Sequence, residues 1–543
     1  MKVRSHINGQ RRSARHRWVV LLAVTVLAAG CASDDSSSSQ PEPGAKEAIY
    51  VSGLVNVSDD GQPEDGGTLT VAESGEPTSL DPTVTYANAA VGGSALAAVY
   101  DTLMTYDVET GSVEPRMAES LETDDHKTWT ITLRDGVTFT DGTSVDADAV
   151  LASFQRYLDE KAYQAALVSG LLKSMTAPDD RTVVVSLNSP WPGLANQLAG
   201  GLGMIVAPAS YADPEKFEPI GAGPFTYQRY SPSEELLLTA NKDYWNGAPH
   251  LEQLRMMWPG TDAARRDSLD NGDVDVAFLR EAKTVEAART AGRPGFMSTY
   301  GLGTLLWVNN REGRPGADVR VRQAMNLAID PKVYVGRLNQ GDYGLPTKAL
   351  LPDSSAWKTD VEQVEVDLDA AKKLVEAAKA DGFDGKISLV GGNDPVATAG
   401  AVTLTGMLEQ VGFTVEYKAQ RTISEQVKTI YADHAFDLAV AGNNMSDEDP
   451  YARLSGALSS NAPTNPSGFA NATMDELLAE LREAASPEEG KPVLAKIEKL
   501  WQEEVPGIPL AATGIFLTWS EDVHGIVPTA EGLVHYDQAW LAQ

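Results

Sequence analysis

Seven histidines, one cysteine and 76 acidic residues are the groups in this 543-residue chain best suited to proton transfer, nucleophilic attack or metal ligation. Their spacing points to none of these. His6 and His16 stand in a basic N-terminal stretch, and His126, His250, His434, His524 and His535 lack ligand-like spacing. The chain has no HExxH pair, no GxSxG elbow and no Walker A loop. Gly221-Ala222-Gly223-Pro224 is glycine-rich, but no phosphate-binding Lys follows, so a tight turn is expected there. A carboxylate pair for hydrolysis can be drawn from 76 acids in many ways, so the acids alone specify none. The chain therefore reads as a non-enzyme with no cofactor and no metal site. An exported hydrolase is the weaker alternative.

The cysteine has a more definite place. Residues 1–17 carry Lys2, Arg4, Arg11, Arg12, Arg15 and Arg17 and no acid, residues 18–29 are almost wholly apolar, and Ala28-Ala29-Gly30-Cys31 follows. This is the plan of an export signal. The apolar run falls short of the ~20 residues that a permanent membrane helix needs. Ala28-Ala29-Gly30-Cys31 resembles the bacterial lipobox, with Leu27 one place before its commonest position. The resemblance implies that residues 1–30 are a lipoprotein signal peptide and that Cys31 becomes the lipid-bearing first residue. An ordinary secretory signal beside an incidental cysteine is the alternative. The residues that usually follow a twin-arginine pair are missing after Arg11-Arg12, so the general secretory route is expected. The protein would then be held by its lipid on the outer face of the cytoplasmic membrane, the periplasmic side of the cell envelope. No thiol remains for a disulfide or a metal.

Residues 31–65, rich in Ser, Asp, Pro, Gly and Glu, read as a flexible tether. The formal net charge is −32, and removing the +6 of residues 1–30 leaves −38. That balance excludes a nucleic-acid binder and electrostatic docking on anionic lipid. The remaining length suits two or three domains.

Thr128–Leu133 alternates polar and apolar as a half-buried strand does. Asp141–Ser144 is a turn, and Asp146 is placed to cap a helix that buries Val150, Phe154 and Tyr157. Asp318–Asp330 puts Val321, Ala324, Met325 and Ala328 on one helical face, and Asp367–Gly382 is a second amphipathic helix. Lys386–Val390 and Phe413–Lys418 read as strands on either side of a helix over Thr398–Gly412. Thr422 and Glu425 form a capping box before a further helix, and Phe436–Gly442 is a third strand. Strands alternating with helices at this spacing run parallel, and ligands of such sheets bind beyond the strands' carboxyl ends. The loops there are Gly391–Pro395, Ala419–Arg421 and Asn443–Pro450. Thr473 and Glu476 are the box of one more helix.

Several stretches together resemble one family: Pro77–Pro82 (PTSLDP), Val99–Asp107 (VYDTLMTYD), Met117–Val150 with its LRDGVTFTDG, Gly221–Tyr227, Asn241–Glu252 (NKDYWNGAPHLE), Asn271–Phe278 and Asp318–Asp330. In this order they are similar to the extracellular solute-binding proteins of peptide and nickel ABC importers, family 5 or cluster C, over residues 66–543. The resemblance implies an α/β, two-lobe periplasmic-binding-protein fold of type II, with an extra subdomain in the first lobe. Lobe I is expected at 66–100, 218–302 and 510–543, the subdomain at 101–217 and lobe II at 303–509, with crossings near Gly303–Leu305 and Ile508–Ala511. It implies a monomeric, lipid-anchored capture subunit that closes on a peptide or peptide-like solute and hands it to an ABC permease and ATPase complex. A non-transport envelope sensor or scaffold, or a binder of a metal chelate or sugar, is the alternative. Tyr244 and Trp245 of the NKDYWNG stretch are expected to pack under a loop, and LRDGVTFTDG to run strand, turn, strand.

Peptide-binding members carry a Trp and, four residues before the Pro of an acid-Pro pair, an Asp for the ligand's ammonium group. The matching stretch is Gly442–Leu454, where Asn443 takes the Trp position and Ser446 the Asp position. Asp447, one place on, is the candidate substitute, and Asp449 an N-cap before Pro450. Dipeptide-binding members have an Arg where this chain has Gly391. Asn393 is a candidate in that loop, and Arg421 could meet a ligand carboxylate from the next strand. Tyr86 and Asn88, after the Leu80-Asp81-Pro82 turn, are candidates as an aromatic wall and an amide. Trp307 is a candidate second wall, although Leu305–Asn309 also reads as a buried strand.

Overall fold

The computed structural model describes residues 47–542 apart from 59, 60 and 214. The export signal and Cys31 lie outside these residues. The described part is α/β and is built on one twelve-stranded mixed sheet. Ten of its strands are β1 (Thr68–Ala72), β2 (Phe225–Ser231), β3 (Glu235–Ala240), β4 (Gln253–Met257), β5 (Val276–Leu279), β6 (Gly295–Val308), β7 (Lys386–Gly392), β8 (Thr414–Gln420), β9 (Leu438–Ala441) and β10 (Gly507–Trp519). Across the sheet they run β8-β7-β9-β6-β10-β5-β1-β4-β3-β2, with Gly53–Val55 and Leu345–Pro346 as short side strands.

β6 and β10 join the two lobes. They are 14 and 13 residues long and pair antiparallel from Gly295–Thr518 to Trp307–Gly507. β7, β8 and β9 flank the pair in the second lobe, and β1 to β5 flank it in the first. The ladder slips twice between Tyr300 and Leu305. Leu302 has φ 53°, and a Cβ on Gly303 would lie 2.0 Å from Thr513 Oγ1. Hydrogen bonding between the two long strands is thus interrupted at the place where the crossing is expected, and a side chain at position 303 has no room.

In the first lobe, α1 (Gly93–Tyr100) is buried along its whole length. Gly221 and Gly223 lie against its end, where a Cβ would come 2.2 Å from Val99 O or 2.5 Å from Ala98 O, so these glycines serve a close backbone approach. The subdomain carries a four-stranded antiparallel sheet of Ala118–Glu122, Thr128–Leu133, Thr182–Leu187 and Leu172–Asp179. Trp129, Ile131 and Leu133 alternate inward as the pattern predicts. α2 (Ala147–Asp159) starts where Asp146 accepts from Ala149 N at 2.9 Å, and it buries Val150, Phe154 and Tyr157. After Leu133 the expected second strand of LRDGVTFTDG is reduced to a single bridge, Thr138–Ser144.

The family-like stretches meet in a buried polar network. Asp101 accepts from Tyr244 Oη at 2.6 Å, from Trp245 Nε1 at 2.9 Å and from Arg116. Arg116 also donates to Asp537 at 3.0 Å, and Asn246 Nδ2 to Asp537 at 3.3 Å. Asp81 takes Arg156 of α2 in a two-point contact of 2.9 and 2.5 Å. These pairs tie the subdomain to the first lobe, so Asp81, Asp101, Arg116, Tyr244 and Trp245 hold structure.

In the second lobe, α3 (Val319–Ala328) is capped by Asp318 and α4 (Leu368–Ala380) by Asp367. Val321, Ala324, Met325 and Ala328 are buried together with Ala371 and Val375. α5 (Pro395–Glu409) begins three residues before the expected Thr398, because Asp394 caps Val396 and Ala397 and Pro395 fits the first helical position. β7 pairs parallel with both β8 and β9. The helix expected at Thr473 starts at Ala472, with Asn471 rather than Thr473 as its cap.

Part of the expected tether is folded. Tyr50 is buried and donates to Glu286 Oε1 at 2.7 Å, and Gly53–Val55 pairs with Gly295–Met297 of β6. Ile49 and Tyr50, packed into an apolar cluster with Met297 and Phe516, dock residues that their polar neighbours suggested were free. Among the described residues no helix is long and apolar enough to cross a membrane.

Candidate functional site

The loop after β9 runs from Gly442 to Asp449 and enters α6 (Pro450–Leu458). Asp449 caps α6 by accepting from Ala452 N at 3.1 Å, and Pro450 takes its first position. The loop is pinned to the crossing strand by two hydrogen bonds of 2.8 Å between Gly301 and Met445. Glu448 and Asp449 are thereby placed against Glu531 of the first lobe and Trp191 of the subdomain, while Asp447 beside them meets Ser355 and Ala356 of the second lobe.

A cavity of about 740 Å³ lies at this junction. Phe296 and Tyr300 line it from the first lobe, Tyr106 and Trp129 from the subdomain, and Trp357 and Tyr451 from the second lobe. Its size falls within the ~300–1,000 Å³ usual for small-molecule sites, and aromatic walls with a few polar groups are their usual lining. Its polar groups include four acids, Glu109, Asp447, Glu448 and Asp449, with His126 and Arg482 as the basic side chains on the wall. Arg482 is already used, donating to Pro190 O at 3.1 Å and pairing with Glu483 at 3.2 Å.

The three acids of the loop differ in surroundings. Asp447 accepts from Ser355 Oγ at 2.5 Å and Ala356 N at 2.7 Å, while its carbonyl accepts from Trp357 Nε1 at 2.8 Å. Burial raises its pKa, against the two hydrogen bonds that favour the charged form. Burial and the nearby negative charge of Glu531 push Glu448 up. Burial takes Asp449 to about 6 despite its bonds to Ala452 N and Trp191. A bound cation would reverse these shifts, since an opposite charge close by favours the carboxylate.

Beside the cavity the lobes touch through Arg453 of α6. Its guanidinium donates to Glu531 Oε1 and Oε2 at 2.8 and 2.7 Å, to Tyr163 Oη at 2.9 Å and to Tyr86 Oη. Tyr86 and Tyr163 stack with centroids 3.7 Å apart, and Arg453 lies over both rings. Asn88 Nδ2 donates to Glu531 Oε2 at 3.0 Å and to its carbonyl at 3.1 Å. The Glu531 N–H donates to Glu448 at 3.0 Å.

Of the residues singled out in the sequence, Asp447 lines the cavity, and Tyr86 and Asn88 stand in the contact around Arg453. Trp307 does not reach the cleft: it is 1% exposed, packed 6.3 Å from Trp501 in the second lobe's core. Asn393 and Arg421 are exposed at the ends of β7 and β8, towards the outer edge of the sheet, and are not on the cavity wall. Only the loop of β9, the strand next to the crossing pair, is close enough to take part. Asn443 turns its amide to Arg453 O at 3.5 Å, behind the loop. Tyr163, Glu448, Arg453 and Glu531 were missed. An Arg in the first turn of a helix opened by Asp-Pro was a signal for Arg453, but nothing local marks Glu531.

A family model described as bacterial extracellular solute-binding proteins, family 5 Middle, matches residues 112–465. The chain belongs to this family. Heme-binding protein A of Haemophilus influenzae is 25% identical over 95% of this chain and 97% of its own length. The probable D,D-dipeptide-binding periplasmic protein DdpA of Escherichia coli is 27% identical over 76% of this chain and 81% of its own. Among solved structures, the periplasmic binding protein DppA of Helicobacter pylori in complex with the peptide STSA superposes with a TM-score of 0.75 at 22% identity, covering 88% of this chain and 99% of that one. That likeness establishes the fold, a type II periplasmic binding protein. In this family 5 solute-binding protein the NKDYWNG stretch is used inside the first lobe, whereas the family-like stretches Val99–Asp107 and Met117–Val150 also supply Tyr106 and Trp129 to the cavity wall. The family consists of binding proteins rather than enzymes.

Proposed function

We propose that this chain is the lipid-anchored substrate-binding subunit of an ABC importer, capturing a peptide or peptide-like solute between its lobes and delivering it to the permease and ATPase complex. The observation that carries the reading is the row Asp447-Glu448-Asp449 on the wall of a roughly 740 Å³ cavity built from both lobes. A ligand ammonium group there would gain charge-assisted hydrogen bonds in a poorly hydrated place. Asp447 is the residue assigned to it, one position from the place that peptide-binding members use. Cys31, in its lipobox-like setting, supplies the anchor, and a tethered binding protein meets its permease at raised effective concentration.

Thermal shift of the purified protein against pools of peptides, sugars, heme and nickel chelates tests the reading, with uptake by a deletion strain alongside. Stabilisation by amine-bearing peptides and loss of their uptake support it. A protein stabilised by no peptide pool, in a strain with unaltered peptide uptake, would contradict it.

A further inference from the structure

Arg453 is a second-lobe residue, yet its guanidinium donates four hydrogen bonds to three residues, Tyr86, Tyr163 and Glu531, that all lie across the cleft. It is 8% exposed. A buried guanidinium beside two stacked tyrosine rings, with its Nη2 within reach of both oxygens of one carboxylate, is suited to holding a carboxylate. The carboxylate it holds is the protein's own. Glu531 is fixed for this: its backbone is left-handed at φ 57°, its side chain and carbonyl are held by Asn88, and its N–H is taken by Glu448. A non-glycine residue kept in that conformation persists where its surroundings over-determine it, and such positions concentrate at clamps and switches.

We propose that Glu531 is a built-in substitute for a ligand carboxylate: it closes the empty cleft by neutralising Arg453, and it denies that guanidinium to acidic solutes. The second half rests on the solute-binding reading above, and the first does not. Ion pairs that lose their water on forming are finely balanced, because desolvation offsets most of the attraction. Such a contact can hold the lobes together without locking them. With Arg453 beside the cavity neutralised and Arg482 on its wall occupied, the four acids Glu109, Asp447, Glu448 and Asp449 dominate the cavity. The site therefore favours a cationic solute whose carboxyl end is blocked or absent over a free zwitterionic peptide.

The test uses the full chain and two variants, Glu531→Gln and Arg453→Gln. Small-angle scattering of the ligand-stripped proteins reads closure, and circular dichroism confirms that each variant is folded. Calorimetry with the tripeptide Ala-Phe-Ala and with its C-terminal amide reads the choice of ligand. Wild type is expected to be compact and to bind the amide at least tenfold more tightly than the acid. Both variants are expected to show a larger radius of gyration, and Glu531→Gln alone to gain at least tenfold for the acid. An unchanged radius in Glu531→Gln overturns the latch, whatever the peptides do. A larger radius with no gain for the acid overturns the exclusion of carboxylates. If neither peptide binds any of the proteins, the peptide reading falls and the scattering alone decides the latch.

Discussion

The indole N–H of Trp191 donates to Oδ2 of Asp449 at 3.3 Å, reaching from the subdomain to the cap of a second-lobe helix. Gly193 makes the approach possible. A Cβ there would lie 2.2 Å from the same Asp449 oxygen, on a carboxylate whose other oxygen is held by the capping bond from Ala452 N. Gly193→Ala is therefore expected to keep the lobes from closing fully while each stays folded. Solute affinity should drop about tenfold or more, since a small misfit removes much of the two-sided contact. Calorimetry beside a thermal melt separates lost closure from lost fold.

Asp447 carries the proposed ammonium contact. Asp447→Ala is expected to weaken an amine-bearing solute by about 2–5 kcal/mol, the usual cost of removing one partner of a buried charge pair. Because Ser355 and Ala356 also donate to it, a modest fall in melting temperature should accompany the change. An unchanged dissociation constant would remove Asp447 from the site.

Glu73 gives a dependence on pH that is unrelated to solute. It is 2% exposed, its Oε2 has no hydrogen-bond partner, and burial raises its pKa to about 8. The folded protein therefore binds one proton more than the unfolded chain between the ordinary glutamate value and about 8. Stability from this group is full at acid pH and declines as pH rises towards 8, with a limiting slope of about 1.4 kcal/mol per unit. Glu73→Gln is expected to flatten that slope in denaturant titrations between pH 5 and 8, and to raise stability at pH 8.

Arg116 stands between Asp101 and Asp537 in the network of family-like stretches. Arg116→Met would leave two buried carboxylates without their cation, at a cost of about 3–5 kcal/mol. The unfolding midpoint should fall clearly, and solute affinity measured well below that midpoint should hold.

Much of the second lobe could be read directly from the chain. The cap at Asp449, the amphipathic helices after Asp318 and Asp367 and the parallel strands β7, β8 and β9 follow from local rules, because a cap or a periodic pattern involves only neighbours in sequence. The cleft was legible only in part. Topology pointed to all three loops at the carboxyl ends of the strands, but β8 and β7 lie at the sheet's outer edge, and Asn393 and Arg421 lie there with them. Trp307 sits on a crossing strand, and the direction of its ring, inward to Trp501, depends on how β6 is covered. Arg453 and Glu531 are 78 residues apart and belong to different lobes, so no pattern along the chain announces the pair.

Lipidation is open to a direct check. Cys31→Ser is expected to move the protein from the membrane fraction to the soluble exported fraction and to abolish incorporation of labelled palmitate, with the melting temperature of the folded part unchanged. Retention in the membrane would remove Cys31 as the anchor.

The central claim, that the cavity behind Asp447 holds an amine-bearing peptide or peptide-like solute, is tested most directly by a mass spectrum of the small molecules released when natively purified protein is denatured. The expected result is a stoichiometric amine-bearing peptide or peptide derivative that rebinds the stripped wild-type protein and binds Asp447→Ala weakly. A released sugar or metal chelate that rebinds Asp447→Ala as well as wild type would contradict it.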